Sequence, residues 1–157
     1  MAKQRVCLPA GTLTVAIKTP FITADGIVEI YREEKLQGIV LIDRLNPPHG
    51  TALPGGFMDI GETIEACLKR EMSEEIGLDV EIIKLLGLYS DPKRDPRFHT
   101  VSAVYVCRAF STPVAGDDAK STKVVSLEAL KNEHFVFDHQ QIVSDYLEDK
   151  GFAKIVS

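Results

Sequence analysis

The sequence predicts a mixed α/β protein, on three observations. β-branched and apolar runs recur in an order (several strands, one central helix, more strands, a terminal helix) that does not alternate regularly enough for a doubly wound parallel sheet. Ile39-Val40-Leu41-Ile42 is apolar without alternation, as expected of a strand covered on both faces. With 157 residues, 45% of them apolar, the chain is of the size and composition to bury a real core. Residues 1–157 are read as a single domain.

Thr12 to Ile17 alternates and is β-branched, which predicts a strand. Ala24-Asp25-Gly26 reads as a turn, followed by a strand over Ile27 to Tyr31. A polar, hairpin-like link around Arg32-Glu33-Glu34-Lys35 leads to a strand over Gly38 to Arg44. Asn46 to Gly50 is a loop, and Leu53-Pro54-Gly55-Gly56-Phe57 breaks regular structure. Thr63 to Ile76 reads as a helix, with Thr63 as N-cap, Glu65 in the first turn and Gly77 just past the end. Val80 to Leu88 and Thr100 to Phe110 read as strands, separated by a Pro- and charge-rich loop from Ser90 to Pro96. A polar loop, Ala115 to Ala119, precedes a short strand near Val124 to Leu127. Asp138 with Gln141 resembles a capping box for a last helix ending near Asp149.

The net charge of −5 and a sequence pI near 5.4 weigh against a nucleic-acid-backbone binder. They leave room for a small anionic ligand held by local Arg residues or a cation. No apolar run approaches the roughly 20 residues that span a bilayer, and the basic start Met1 to Arg5 lacks the hydrophobic stretch of a secretory signal. Cys7, Cys67 and Cys107 are odd in number, widely spaced and without a CxxC pair. That pattern argues against a disulfide framework or zinc knuckle and suits a reducing cytoplasm. A cytoplasmic protein with no membrane and no nucleic-acid partner is expected.

The predicted central helix carries its acids on an unusual face. At about 100° per residue from Ile64, Leu68, Met72 and Ile76 fall near 40°, 80° and 120°. Glu71, Glu75 and Glu74 fall near 340°, 20° and 280°, so three carboxylates share about 100° and Glu75 sits at the apolar edge. Glu71 and Glu75, at i and i+4, repel each other. Arg70, near 240°, is aimed at Glu74 rather than at the centre of the group, so a divalent metal with oxygen ligands suits the arc better. Spacing alone leaves open that all three are solvated helix acids.

The flanking residues go further. Gly56, five residues, Glu62, seven residues, then Arg70-Glu71-Met72-Ser73-Glu74-Glu75-Ile76-Gly77-Leu78 resembles the signature of the Nudix hydrolase family at all nine specified positions. The resemblance implies an α/β/α sandwich with a mixed β-sheet, the signature forming a loop–helix–loop. It implies that Glu71, Glu74 and Glu75 hold Mg²⁺ or Mn²⁺, with the Gly56 carbonyl as a further ligand, and that Glu62 and Arg70 brace loop and helix through a salt bridge. The family cleaves a nucleoside diphosphate linked to another moiety, and water attacks phosphorus as a carboxylate accepts its proton. The base differs among branches, and the loop carrying Asp117 and Asp118 is suitably placed, Glu128 less so; the same Gly-Asp-Asp run also reads as a plain turn.

Tyr89 to His99 resembles the corresponding loop of the ADP-ribose pyrophosphatase branch, with Pro92 and Pro96 near the expected distance and Phe98 departing from a small residue. Arg94 and Arg97 in this loop, Arg44 before the signature and Asp118 after it are the substrate-binding candidates. Pairing of the loop's cations with Asp91 and Asp95 is the alternative for Lys93, Arg94 and Arg97. The expected reaction is ADP-ribose to AMP and ribose 5-phosphate. The alternatives are a nucleoside triphosphate pyrophosphatase of the house-cleaning kind and a non-catalytic nucleotide sensor. The expected partner is a small nucleotide; members near this branch are often homodimers, although the sequence shows no seam. The four histidines form no ligand spacing and read as ordinary polar residues, Cys67 reads as packing, and Tyr31 and Phe21 read as core.

Overall fold

A computed structural model describes residues 4–5, 16–116 and 119–152. Asp117 and Asp118 lie outside the described residues, as does most of the strand expected from Thr12 to Ile17. Its end, β2 (Ala16–Ile17), pairs antiparallel with β1 (Gln4–Arg5) as a separate small sheet.

The main sheet is mixed. Its central strand β3 (Phe21–Arg32) runs parallel to β8 (Thr100–Ala109) over ten residue pairs, and β7 (Glu81–Tyr89) lies antiparallel on the far side of β8. On its other edge β3 has two partners in succession. Its last residues pair antiparallel with the start of β4 (Lys35–Arg44), and Thr23, Ala24 and Asp25 pair with β6 (Gly55–Phe57). The distal half of β4 diverges and is flanked by β9 (Ala119–Val125) and by β5 (Thr51–Ala52). The splay between β4 and β6 opens the sheet next to the glycine-rich break.

The helices α1 (Ile64–Ile76) and α2 (His139–Asp149) cover opposite faces, because alternation sorts the core into two layers. Val28, Ile30, Val40 and Ile42 pack with Cys67, Leu68, Met72 and Ile76 of α1. Ile27, Ile39, Leu41, Val104 and Val106 pack with Ile142, Val143, Tyr146 and Leu147 of α2. Each such buried side chain stabilises by about 1.5–3 kcal/mol relative to exposure. The unbroken run Ile39 to Ile42 therefore feeds both layers, as its pattern predicts, and the architecture is an α/β/α sandwich.

Four expectations are corrected. Ala24-Asp25-Gly26 does not turn but runs through the middle of β3. The glycine there meets a packing demand, since a Cβ would lie 2.8 Å from Met72 Sδ of α1. The last strand begins at Ala119 rather than near Val124, held by its pairing with β4. Asp138 precedes α2 without a side-chain cap, because its carboxylate is taken by Arg94, and Gln141 bonds Asp145 instead. Phe21 is not core: it stands edge-on to Phe57 and Phe98, both partly exposed, at centroid distances of 5.7 and 5.3 Å. The Arg32–Lys35 link is a two-residue hairpin turn with Glu33 and Glu34 both at positive φ (48° and 61°), the primed-turn geometry that suits strand twist.

Among the described residues, no helix is long and apolar enough to cross a membrane. Cys67 and Cys107 are buried and unpaired, and burial pushes both thiols up to about 12, which keeps them protonated and inert.

Candidate active site

The splay between β4 and β6 forms the floor of a cavity of about 390 Å³. β3 contributes Thr23 and Asp25, β6 contributes Gly55 to Phe57, and α1 contributes Arg70, Glu71 and Glu75. Arg44, Arg94, Asp95 and Arg97, with Phe137 and His139 at the start of α2, complete the lining.

The helix that carries the acids begins and ends as predicted. Thr63 accepts the Ala66 amide at 3.2 Å, and Gly77 ends the helix at φ 64°, returning its N–H to Ser73. Cys67, Leu68, Met72 and Ile76 bury one face, which fixes the rotation of α1. Glu75 is drawn to the apolar edge and Glu71 to the cavity, as the helical spacing implies. Glu75 is buried and accepts the Gly55 amide at 2.9 Å. Burial is the main cause that lifts its pKa to about 7, with Glu71 and Asp25 adding to it. Glu71 also lies above the ordinary carboxylate value, since burial outweighs its bond to Arg70. Its carboxylate rests against Gly56, where any Cβ would collide with it. Glu74 is exposed and is not among the residues lining the cavity, although it shares Arg70 with Glu71.

Arg70 makes the expected bridge to Glu62 and reaches Glu74, but contrary to expectation it also reaches Glu71, nearer the centre of the acids. Its Nε and Nη2 fork onto Glu62 at 2.7 and 2.9 Å, Nη1 reaches Glu71 at 2.6 Å and Glu74 at 3.1 Å, and Nη2 also donates to the Phe57 carbonyl at 3.0 Å. The fork holds Glu62 down at about 2. The repulsion foreseen among the three helix acids is thus relieved in part by one guanidinium. Among the described residues, no three carboxylates already converge on a single ion position.

The donor set nevertheless fits a hard divalent cation. Asp25, Glu71 and Glu75 line one cavity, all three pKa values are raised mainly by burial, and every available donor is an oxygen. The Gly56 carbonyl lies at a ladder position opposite Ala24 and also takes a weak contact from Cys67 Sγ at 3.9 Å. Thr23 Oγ1 is buried at the same wall with no hydrogen-bond partner among the described residues.

The arginines divide sharply. Arg94 is buried and spent: it forks onto Asp138 at 2.9 and 2.8 Å and donates to Thr100 at 2.8 Å. Arg97 forks onto Asp95 at 3.0 and 2.9 Å, while its Cζ lies 5.3 Å from the centroid of the Phe137 ring. Arg44 donates through Nε to the Pro48 carbonyl at 3.0 Å, and its two terminal amino groups have no protein acceptor among the described residues. Glu128 lies at a separate hollow with Leu36, Lys150 and Phe152, outside this cavity.

Sequence reasoning missed three residues here. Asp25, read as part of a turn, is buried, accepts a hydrogen bond from the Ser102 hydroxyl and is pushed up to about 6, chiefly by desolvation. His139 is buried, and its Nδ1 accepts the Leu53 amide at 2.9 Å; burial and the nearby Arg94 and Arg44 depress it to about 3. Phe137 lines the cavity at positive φ, 58°. None has a local sequence signal, because long-range pairing places each one.

Comparison with known proteins agrees with this geometry. The chain is 42% identical over 135 residues to the ADP-ribose pyrophosphatase of Methanocaldococcus jannaschii, covering 84% of this chain and 76% of that protein. Its fold superposes with a TM-score of 0.70 on a Francisella tularensis bifunctional NMN adenylyltransferase/ADP-ribose pyrophosphatase crystallised with AMP and a manganese ion, at 30% identity over 86% of this chain and 43% of that one. It also matches in fold the NUDIX domain of Shewanella oneidensis NrtR, crystallised with ADP-ribose, with a TM-score of 0.77 at 24% identity, covering 86% of this chain and 91% of that one. Residues 20–146 match the NUDIX domain, and the chain belongs to the Nudix family.

Proposed function

We propose that this chain is a pyrophosphohydrolase that, with a bound divalent cation, Mg²⁺ or Mn²⁺, cleaves ADP-ribose to AMP and ribose 5-phosphate. The observation that carries the reading is one cavity lined both by carboxylates (Asp25, Glu71, Glu75) and by arginines (Arg44, Arg97). A pyrophosphate needs both: arginines to hold its oxygens, and acids to hold the cation that offsets its charge. The 42% identity to an ADP-ribose pyrophosphatase supports the choice of substrate.

Glu71 and Glu75, with the Gly56 carbonyl and Asp25 beside them, would hold the cation, with Glu74 reaching it only from the exposed rim; the cation supplies charge stabilisation at phosphorus and a more acidic water. The chain's own residues do the rest. Arg44 and Arg97 hold the diphosphate oxygens. Water adds to one phosphorus, the bridging P–O bond breaks, and the water's proton passes to a carboxylate, either one of the helix acids or one on the loop that carries Asp118. Arg70 braces Glu62 and the helix acids, so that loop and helix keep one spacing. Arg94, already engaged by Asp138 and Thr100, fixes the 94–97 loop to the start of α2 rather than touching substrate.

The test is a panel of ADP-ribose, other nucleoside diphosphate derivatives and nucleoside triphosphates, each with Mg²⁺ or Mn²⁺, with products separated chromatographically. ADP-ribose should give AMP and ribose 5-phosphate faster than any triphosphate reacts. Equal or faster turnover of triphosphates would favour the house-cleaning alternative, and binding without turnover would favour a sensor.

A further inference from the structure

The geometry points to Phe137 as a positioning residue, one that aims Arg44 and Arg97 into the cavity as a paired clamp for a diphosphate. The inference rests on reading this cavity as the diphosphate site.

Phe137 has φ of 58°, a left-handed conformation costly for a residue with a bulky side chain. Such strain persists only where the surroundings over-determine it, and here they do. On one side the Val136 amide donates to the Thr51 carbonyl at 3.0 Å. On the other, Asp138 takes both prongs of the buried Arg94, and His139 accepts the Leu53 amide. Anchors at Val136, Asp138 and His139, on both sides of 137, hold the chain there in this conformation.

The consequence is a ring placed between two cations. Arg44 Cζ lies 5.0 Å from the ring centroid and Arg97 Cζ 5.3 Å, both within cation–π range. Arg44 is half-buried, and desolvation together with Arg97 lowers its pKa. With Arg97 forked onto Asp95 and Arg44 bonded to the Pro48 carbonyl, the shared ring keeps the two guanidiniums as near neighbours against their repulsion, the terminal amino groups of Arg44 lacking a protein acceptor among the described residues. A ring that holds both groups in place before substrate arrives spares the ordering cost at binding. An aliphatic side chain would fill the space without attracting either cation.

The test uses the full chain with Phe137→Leu, Phe137→Gly and Phe137→Tyr, reading ADP affinity by calorimetry with excess Mg²⁺, kcat and KM on ADP-ribose, and thermal melting. Phe137→Leu keeps the bulk and loses the ring's charge attraction; Phe137→Gly also relieves the φ. Both should weaken ADP binding and raise KM about tenfold, the scale of one desolvated cation–π contact, with kcat within about threefold of wild type. Phe137→Tyr should restore affinity. The inference is overturned if Phe137→Leu binds ADP like wild type, if kcat falls while KM holds, or if wild type binds no ADP at millimolar concentration. If wild type binds ADP yet leaves ADP-ribose intact, the substrate reading fails while the clamp stands.

Discussion

Arg70 grips Glu62 with two parallel hydrogen bonds, at 2.7 and 2.9 Å, back across the first turns of α1, and with the same guanidinium reaches Glu71 and Glu74. A planar fork can serve several carboxylates at once; an ammonium cannot. The distance from the Gly56 carbonyl to the helix acids is set by this bond rather than by the helix alone.

Arg70→Lys and Arg70→Ala should therefore both lose turnover on the order of 10²-fold, the usual effect of misplacing reacting groups by about 1 Å. Circular dichroism should remain native in both. Near-normal kcat in Arg70→Lys would show that charge, not the fork, is what the site requires.

Glu75→Gln should lower turnover by about 10³-fold or more, since it removes a cation ligand worth several kcal/mol at the transition state. The amide oxygen can still accept the Gly55 N–H, so the melting temperature should hold or rise once a buried charge is gone. Hydrolysis near the wild-type rate would refute the ligand assignment.

Arg94 and Arg97 should separate by readout. Arg94→Ala strands Asp138 and empties a buried site, so it should cost about 3–5 kcal/mol in denaturant unfolding. Arg97→Ala, at a partly exposed position but leaving the buried Asp95 without its forked partner, should cost less stability than Arg94→Ala and should in addition raise KM. A stable Arg94→Ala with raised KM would mean that Arg94 touches substrate after all.

His139 makes stability depend on acid. Its folded pKa, about 3, lies below the ordinary 6.5, so between those values the unfolded chain holds a proton that the folded chain does not. The His139 contribution should be fully present above about pH 6.5 and fall by roughly 1 kcal/mol per pH unit below it, while Glu75 and Asp25, raised to about 7 and about 6, act in the opposite direction. Urea melts from pH 7 to 4 check this, with His139→Gln as control; the stability of the wild type relative to the variant should shrink as pH falls, and a constant difference would remove His139 from the account.

The parts of the site legible in the sequence are those whose logic is local. The α1 cap at Thr63, the apolar stripe from Leu68 to Ile76 and the placement of Glu71 and Glu75 follow from 3.6-residue periodicity, which holds because the helix face is buried where the pattern says. Ala24-Asp25-Gly26 carries turn chemistry, yet β8 and β6 on either side recruit it into a strand, and Met72 explains the glycine. Asp138 shows the same competition from the other direction: a good N-cap residue is captured by a buried arginine 44 positions away. Phe137 and His139 had no signal because what matters about them is an imposed backbone conformation and a distant amide.

The succession of two partners along one edge of β3 ties catalysis to the integrity of the sheet. Asp25, Gly55 and Gly56 occupy ladder positions, and the Gly26 amide is closed by the Pro54 carbonyl at 2.9 Å. A floor woven into the central strand cannot fray by itself. Heat inactivation should accordingly coincide with cooperative melting, and amide exchange at Gly26 should be as slow as that of the most protected core positions.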